Sequence, residues 1–349
     1  MASTGGHGSG DDPGDKRPPR NLQDVLKYAI EHTPTTQDEE GGESEGGNHG
    51  NQESAAERAE WLSNALSGMY KDEVKEMAEQ VAFLKESSKV TEAVEGHEVE
   101  GREDLEEKKT EALEYLFDLV QGIDNAKDFL KVGGGDILQL CFSDPSSEVR
   151  WRTLDLLAAL SQNHPSNQAE FHSMGLIKRL LEVLDSSSEV DMVRIKALYA
   201  LSCLCRDNDA CLSNFVKHDG FSVLMRAMQS DIEKLQIKAT FMLQAILISF
   251  PQHKDTLHNM GMVHQLVSLL QQEHAITHEQ FILALLNLVS GHSGCISDCC
   301  QPELQFEELL KSRVEFLKDK EEFMEELEYC QKLMAICFTK NTSSQGMDR

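Results

Sequence analysis

Basic residues are in short supply: Lys and Arg total 33 against 60 Asp and Glu, a formal charge of −27. A surface of that sign repels phosphates, which disfavours nucleic acid and anionic membranes as partners. Aromatics make up only 6% of the chain, with two Trp and five Tyr, so aromatic stacking of bases has little to work with. No apolar run reaches the roughly 18 residues that a membrane-spanning helix needs. The opening MASTGGHGSGDD has no apolar core of the signal-peptide kind. Nine cysteines are an odd number at irregular spacing, which reads as reduced thiols of a cytosolic, and also nuclear, protein rather than a disulfide scaffold. Enzyme signatures are missing as well. Gly133-Gly134-Gly135 lacks the lysine and spacing of a phosphate-binding loop, and there is no HExxH. His292, Cys295, Cys299 and Cys300 lack a CxxC pair, and adjacent thiols chelate a tetrahedral zinc poorly. The expectation is a non-enzyme with no cofactor and no metal.

What the chain does have is repetition. The stretch 193–228 reads as a long helix, a short helix over Leu212–Lys217 and a third helix over Phe221–Met228. Glycines that precede the third helix recur as Gly135, Gly175, Gly220 and Gly261, in steps of 40, 45 and 41. Short-helix anchors recur as Phe129, Phe171, Phe215 and Leu257. A basic or polar residue near the start of the long helix recurs as Arg152, Lys196, Lys238 and Gln280. Three helices at a period in the low forties are the signature of an all-α, armadillo-like right-handed solenoid, in which each unit buries its faces against its neighbours.

The chain divides accordingly. Residues 1–53 read as a disordered arm carrying an amphipathic island at 18–31, with Leu22, Val25, Leu26 and Ile30 on one face. Residues 54–108 read as an N-terminal helical cap, with helices over 54–70 and 72–85, followed by a Glu-rich loop with some helix. Residues 109–290 hold the repeats. Residues 291–338 read as an irregular connector, HSGCISDCCQPELQ, and a C-terminal cap of two helices, before a tail at 339–349.

Aligned long helices put Glu114, Asp155, Tyr199, Phe241 and Leu283 in one row of the expected concave face. Asp118, Ala159, Cys203, Ala245 and Asn287 fall one turn on, and Arg150, Arg194, Arg206 and Lys238 form a fringe. With Asn125 in the turn GIDNAKDF, these are the candidate partner contacts; aromatic and Arg anchors dominate interfaces. Armadillo proteins that read extended peptides carry an asparagine ladder in the second row. Only Asn287 holds such a position here, which points to recognition of a folded domain.

The segments RPPRNLQDVLKYAI, GIDNAKDF, VRIKALYALSCL, DGFSVLMRAMQ, MGMVHQLVSLL and the closing MDR resemble the Fes family of nucleotide exchange factors, over most of the chain from about Arg17. The resemblance implies a monomeric co-chaperone whose concave face grips the ATPase domain of the seventy-kilodalton heat-shock chaperone, opens its nucleotide cleft and promotes ADP and client release. It further implies that the arm, through Leu22, Val25, Leu26 and Ile30, reaches the chaperone's substrate-binding domain. The alternative is an armadillo adaptor that inhibits a chaperone-linked ubiquitin ligase without driving exchange.

Overall fold

The computed structural model describes residues 73–93 and 102–339. The amphipathic island at 18–31, the expected helix over 54–70 and the tail beyond 339 lie outside the described residues. Contacts divide the chain into Met1–Glu76 and Met77–Arg349, and the helical stack belongs to the second unit.

Seventeen α-helices and no strands are present among the described residues. α1 (Glu73–Ala93) and α2 (Arg102–Leu119) come first. Then follow α3 (Ile123–Lys131), α4 (Gly134–Cys141), α5 (Ser147–Ser161), α6 (Pro165–Ser173) and α7 (Leu176–Asp185). Next are α8 (Asp191–Cys205), α9 (Asp209–Lys217), α10 (Gly220–Met228), α11 (Glu233–Ser249), α12 (Lys254–Asn259) and α13 (Met262–Leu270). The last are α14 (His278–Val289), α15 (Ser293–Cys299), α16 (Phe306–Leu317) and α17 (Met324–Cys337).

The long helices α2, α5, α8, α11, α14 and α17 pack one on the next in that order. Such a helix has neighbours on both sides, so its apolar residues run nearly all the way round. On α8, Val193, Ile195, Ala197, Leu198, Ala200, Leu201, Cys203, Leu204 and Cys205 are all buried. The third helices are one-sided by contrast: α7 buries Leu176, Ile177, Leu180, Leu181 and Leu184 along a single stripe. The short-helix anchors Phe129, Phe171, Phe215 and Leu257 are all fully buried.

Backbone handedness marks the repeat more sharply than glycine does. The residue before each third helix is left-handed: Gly133, Gly175, Asp219, Gly261 and Gln305, in steps of 42, 44, 42 and 44. The glycine alignment is therefore corrected in two units. Gly133 and Asp219 take the positive φ, while Gly134 and Gly220 open the helix. Those two glycines are needed for space, since a Cβ would stand 2.3 Å from the Phe129 ring at Gly134 and 2.6 Å from the Phe215 ring at Gly220. A second left-handed position ends three of the long helices, at Asn163, Asp207 and Gly291. Asn, Asp and Gly are the residues that tolerate it. After α11 the chain has Phe250-Pro251 instead. Proline holds φ negative, and a 3₁₀ turn, Pro251–His253, makes the corner.

Three further expectations are corrected. The helix expected to stop at Lys85 runs on as α1 to Ala93, with the Ser87 hydroxyl, buried, donating to the Leu84 carbonyl. The first repeat begins at Arg102 rather than near Lys109. The stretch HSGCISDCCQPELQ is not an irregular connector, because it contains the short helix α15. His292 caps it, its Nδ1 accepting from the Cys295 amide at 3.0 Å. With α16 behind the left-handed Gln305 and α17 packed on α14, the C-terminal helices continue the repeat.

Candidate functional site

The row of long helices is cross-braced by a repeating contact. On each helix, the residue three positions before the row residue comes from the recurrent basic landmark, and it reaches back to the row residue of the helix before. Arg152 of α5 pairs with Glu114 of α2. Lys196 of α8 pairs with Asp155 of α5 at 2.7 Å. Lys238 of α11 lies 5.4 Å from the centre of the Tyr199 ring of α8, a cation–π contact. Trp151 widens the middle of the ladder. Arg152 stacks 4.4 Å from its ring centre, Lys196 lies 5.4 Å from it, and its indole N–H donates to Glu148 at 2.7 Å.

The ladder stops at the next step. Gln280 of α14 carries no charge, and its carbonyl accepts from the Gln244 side-chain amide at 3.0 Å. Phe241 is left 50% exposed. One and two turns on along α11, Ala245 is exposed and Ile248 is 70% exposed. The face thus begins acidic on α2, where Glu114 and Asp118 are exposed, passes through paired charges on α5 and α8, and becomes apolar on α11. Its α14 members, Leu283 and Asn287, are half-buried.

Not every candidate residue is free to meet a partner. Arg150 binds Glu189 through two nitrogens, at 3.0 and 2.6 Å, and donates to the Asp144 and Pro145 carbonyls, at 2.7 and 2.9 Å. It clamps the loop before α5 to the loop before α8, and Arg150 in turn holds the Glu189 carboxyl below its usual range despite burial. Arg194 donates to the Leu184 carbonyl at 3.1 Å. Asn125 donates to the Leu119 carbonyl at 2.9 Å and fixes the turn between α2 and α3. Cys203 is buried, Ala159 is half-buried, and Arg206 is exposed at the end of α8. Burial pushes the Cys203 thiol up.

The sequence treated Arg152 and Lys196 as markers of period and did not place them in the site. Their constant offset from the row was the signal that they face it. Ile248 was also missed, although an apolar residue seven positions after Phe241 shares its helix face. The candidate metal-binding residues go elsewhere: His292 Nε2 contacts Asp255 at 2.9 Å. Among the described residues, no group of three or more His, Cys, Asp or Glu is placed to hold a metal ion. A cleft of about 610 Å³, lined by residues that include His274, Ser312, Arg313 and Phe316, lies between α13 and α16 and contains none of the row residues.

Comparison with known proteins places the chain. Residues 22–129 match the family model of the nucleotide exchange factor Fes1, and residues 125–249 match that of the SIL1/FES1/HPBP1 C-terminal domain. Hsp70-binding protein 1 of Mus musculus is 40% identical over 349 residues, covering 99% of this chain and 94% of the relative. The Homo sapiens protein of the same name is 39% identical, covering 95% and 89%. The Hsp70 nucleotide exchange factor FES1 of Mycosarcoma maydis is 28% identical, covering 56% and 45%. Two designed armadillo repeat proteins, one of them in complex with a (KR)4 peptide, superpose with TM-scores of 0.55 and 0.57 at 17% and 16% identity. Each covers 75% of this chain and 99% of the designed one, which establishes the armadillo-like fold. The chain belongs to the SIL1/FES1/HPBP1 family.

Proposed function

We propose that the chain is a nucleotide exchange factor for the seventy-kilodalton heat-shock chaperone, and that the exposed part of the long-helix row seats on the chaperone's ATPase domain. The observation that carries this reading is the ladder. Glu114–Arg152, Asp155–Lys196 and Tyr199–Lys238 brace successive helices and leave an acidic group of residues at one end and an apolar patch at the other. A face that opens a two-lobed partner must resist bending, because a compliant one would bind without separating the lobes. No bond is made or broken by such a protein. It binds the open, ADP-poor form of the ATPase domain better than the closed one. By linkage, ADP weakens its binding by the same free energy, commonly about 1–3 kcal/mol.

The test is stopped-flow release of a fluorescent ADP analogue from the chaperone with and without the protein. Acceleration supports the reading. Binding without acceleration would make the protein an adaptor, and a chaperone-linked ubiquitin ligase would be the next partner to assay. Within this reading the arm, with Leu22, Val25, Leu26 and Ile30, engages the chaperone's substrate-binding domain. Deleting residues 1–33 should leave ADP release intact and slow client release, and unchanged client release would remove that role.

A further inference from the structure

The connection from each third helix to the next long helix varies in length. It takes five residues before α5 (142–146) and α8 (186–190), four before α11 (229–232) and six before α17 (318–323), but seven before α14 (271–277). Three residues of this longest loop, Gln271, Gln272 and His274, line the cleft of about 610 Å³ between α13 and α16. Two ties join its sides. Gln271 Nε2 donates to the Leu304 carbonyl at 3.1 Å, and Arg313 Nη2 donates to the Leu270 carbonyl at 2.9 Å. The loop is pinned at His274, whose Nε2 lies 2.9 Å from the buried Glu326 carboxylate. The walls are therefore held by the protein's own contacts, and the volume falls in the range of ligand sites.

The lining divides by chemistry. Leu270, Leu309 and Phe316 are its apolar part, and Phe316 is held in place with Lys320 Nζ 3.2 Å from its ring centre. Gln272, Gln305 and Ser312 are exposed side chains that can each donate and accept, and among the described residues none of the three side chains is hydrogen-bonded. The charges are matched already. Arg313 is 8% exposed and faces the Glu326 carboxylate at 3.6 Å. An incoming anion meets Glu326 and the exposed Glu308, and an incoming cation meets Arg313. We propose that the cleft binds an uncharged, extended peptide segment of a partner protein. One large apolar side chain of the segment lies against Leu270, Leu309 and Phe316, and its backbone amides bond to Gln272, Gln305 and Ser312.

A peptide backbone suits this lining for a physical reason. It repeats one N–H and one C=O per residue, at about 3.3–3.6 Å per residue when extended, and so meets several side chains that each donate and accept. Arg313 carries five N–H donors and uses one of them, to the Leu270 carbonyl. A backbone carbonyl accepts from another without bringing a second negative charge up to Glu326. Burying a charged group beside that ion pair costs far more than burying a hydrogen-bonded amide. The cleft contains none of the long-helix row residues, so the segment and the row's partner do not compete for the same side chains.

The test titrates the full-length, isotope-labelled protein with three blocked tripeptides in NMR: N-acetyl-Gly-Leu-Gly-amide and its counterparts with Asp or Lys at the centre. The expected result is saturable shifts confined to residues 270–274 and 304–316, in about the millimolar range for so small a ligand. The Leu peptide should be the tightest of the three, by about tenfold. Ser312→Arg, on the exposed side of α16, should abolish the shifts with the melting temperature unchanged, and Phe316→Ala should weaken the Leu peptide by about threefold to tenfold. If Ser312→Arg melts early, Gln272→Arg takes its place from the loop side. Absence of saturable shifts at about 10 mM peptide would overturn the proposal. So would shifts centred outside the cleft, undiminished binding to the folded arginine variant, or equal or tighter binding of the Asp or Lys peptide, which would make the cleft an ion site.

Discussion

The left-handed residues are where single side chains decide most. Gly175 and Gln305 occupy equivalent positions, at φ 72° and 48°. The space around Gly175 is open, so Gly175→Ala adds no clash and measures backbone preference alone. It should lower stability by about 1 kcal/mol. Gln305→Gly should raise stability by a few tenths of a kcal/mol up to ~1 kcal/mol, which chemical denaturation of the two variants would check. Gly220→Ala differs in kind: its methyl would enter the Phe215 ring, and the loss should be about 1–3 kcal/mol. The sequence revealed the fold through these sites only where glycine was used. Asp219 and Gln305 hide the same conformation under ordinary side chains, so the glycine register slipped by one residue at Gly220 and the last repeat read as a connector and cap, while the run Gly133-Gly134-Gly135 offered three glycines for one position. The core anchors Phe129, Phe171 and Phe215 were legible because burial selects one residue type at one spacing.

Between elements, buried polar contacts set what can be changed. Lys109 of α2 and Asp144, in the loop before α5, form an ion pair at 2.7 Å with both side chains about 95% buried or more. Asp144 also accepts from the Ser146 amide at 3.0 Å, and Ser146 caps α5. Lys109→Ala leaves a buried carboxylate without its cation and should cost about 3–5 kcal/mol in a urea melt. At the other end, α14 begins at His278, which is buried with Nδ1 unpartnered. Burial first, then the nearby charges of Arg313 and His274, hold its pKa down to about 4. The unfolded chain takes up that proton near pH 6.5 and the folded chain does not. Stability is therefore fully present above pH 6.5 and falls as pH drops towards 4, by about 1–3 kcal/mol. His278→Gln should flatten that part of the pH profile in thermal melts. Neither group was legible beforehand, because a lysine or a histidine in sequence carries no mark of which neighbour it will meet.

Across the whole molecule, the face is braced within itself, and substitutions can separate that bracing from the contact proposed for it. Asp155→Lys breaks the pair with Lys196, whose side chains are about a quarter exposed, and should cost ~0.5–1 kcal/mol of stability. The exchange Asp155→Lys with Lys196→Asp should restore stability while leaving the local charge pattern reversed. If chaperone affinity stays low in the double variant, Asp155 is a contact; if affinity returns, it is a brace. Phe241 is half exposed, so Phe241→Glu gives up only part of a packed ring and should lower the melting temperature by no more than a few degrees while weakening binding to the isolated ATPase domain. The row itself was readable from period and offset. Which of its members are occupied internally, as Arg150 and Arg194 are, emerged only with their hydrogen bonds.

The fading of the ladder at Gln280 gives the molecule unequal mechanics. From α2 to α11 the helices are tied by charge, and from α11 to α14 by packing and an amide contact. Salt weakens the first kind of tie and strengthens or spares the second. At high ionic strength the N-terminal half should become the more pliable, and its amides should exchange faster while those of α14 hold. The spring constant of this row of helices is therefore set partly by the solution around it, and it differs from one end of the row to the other.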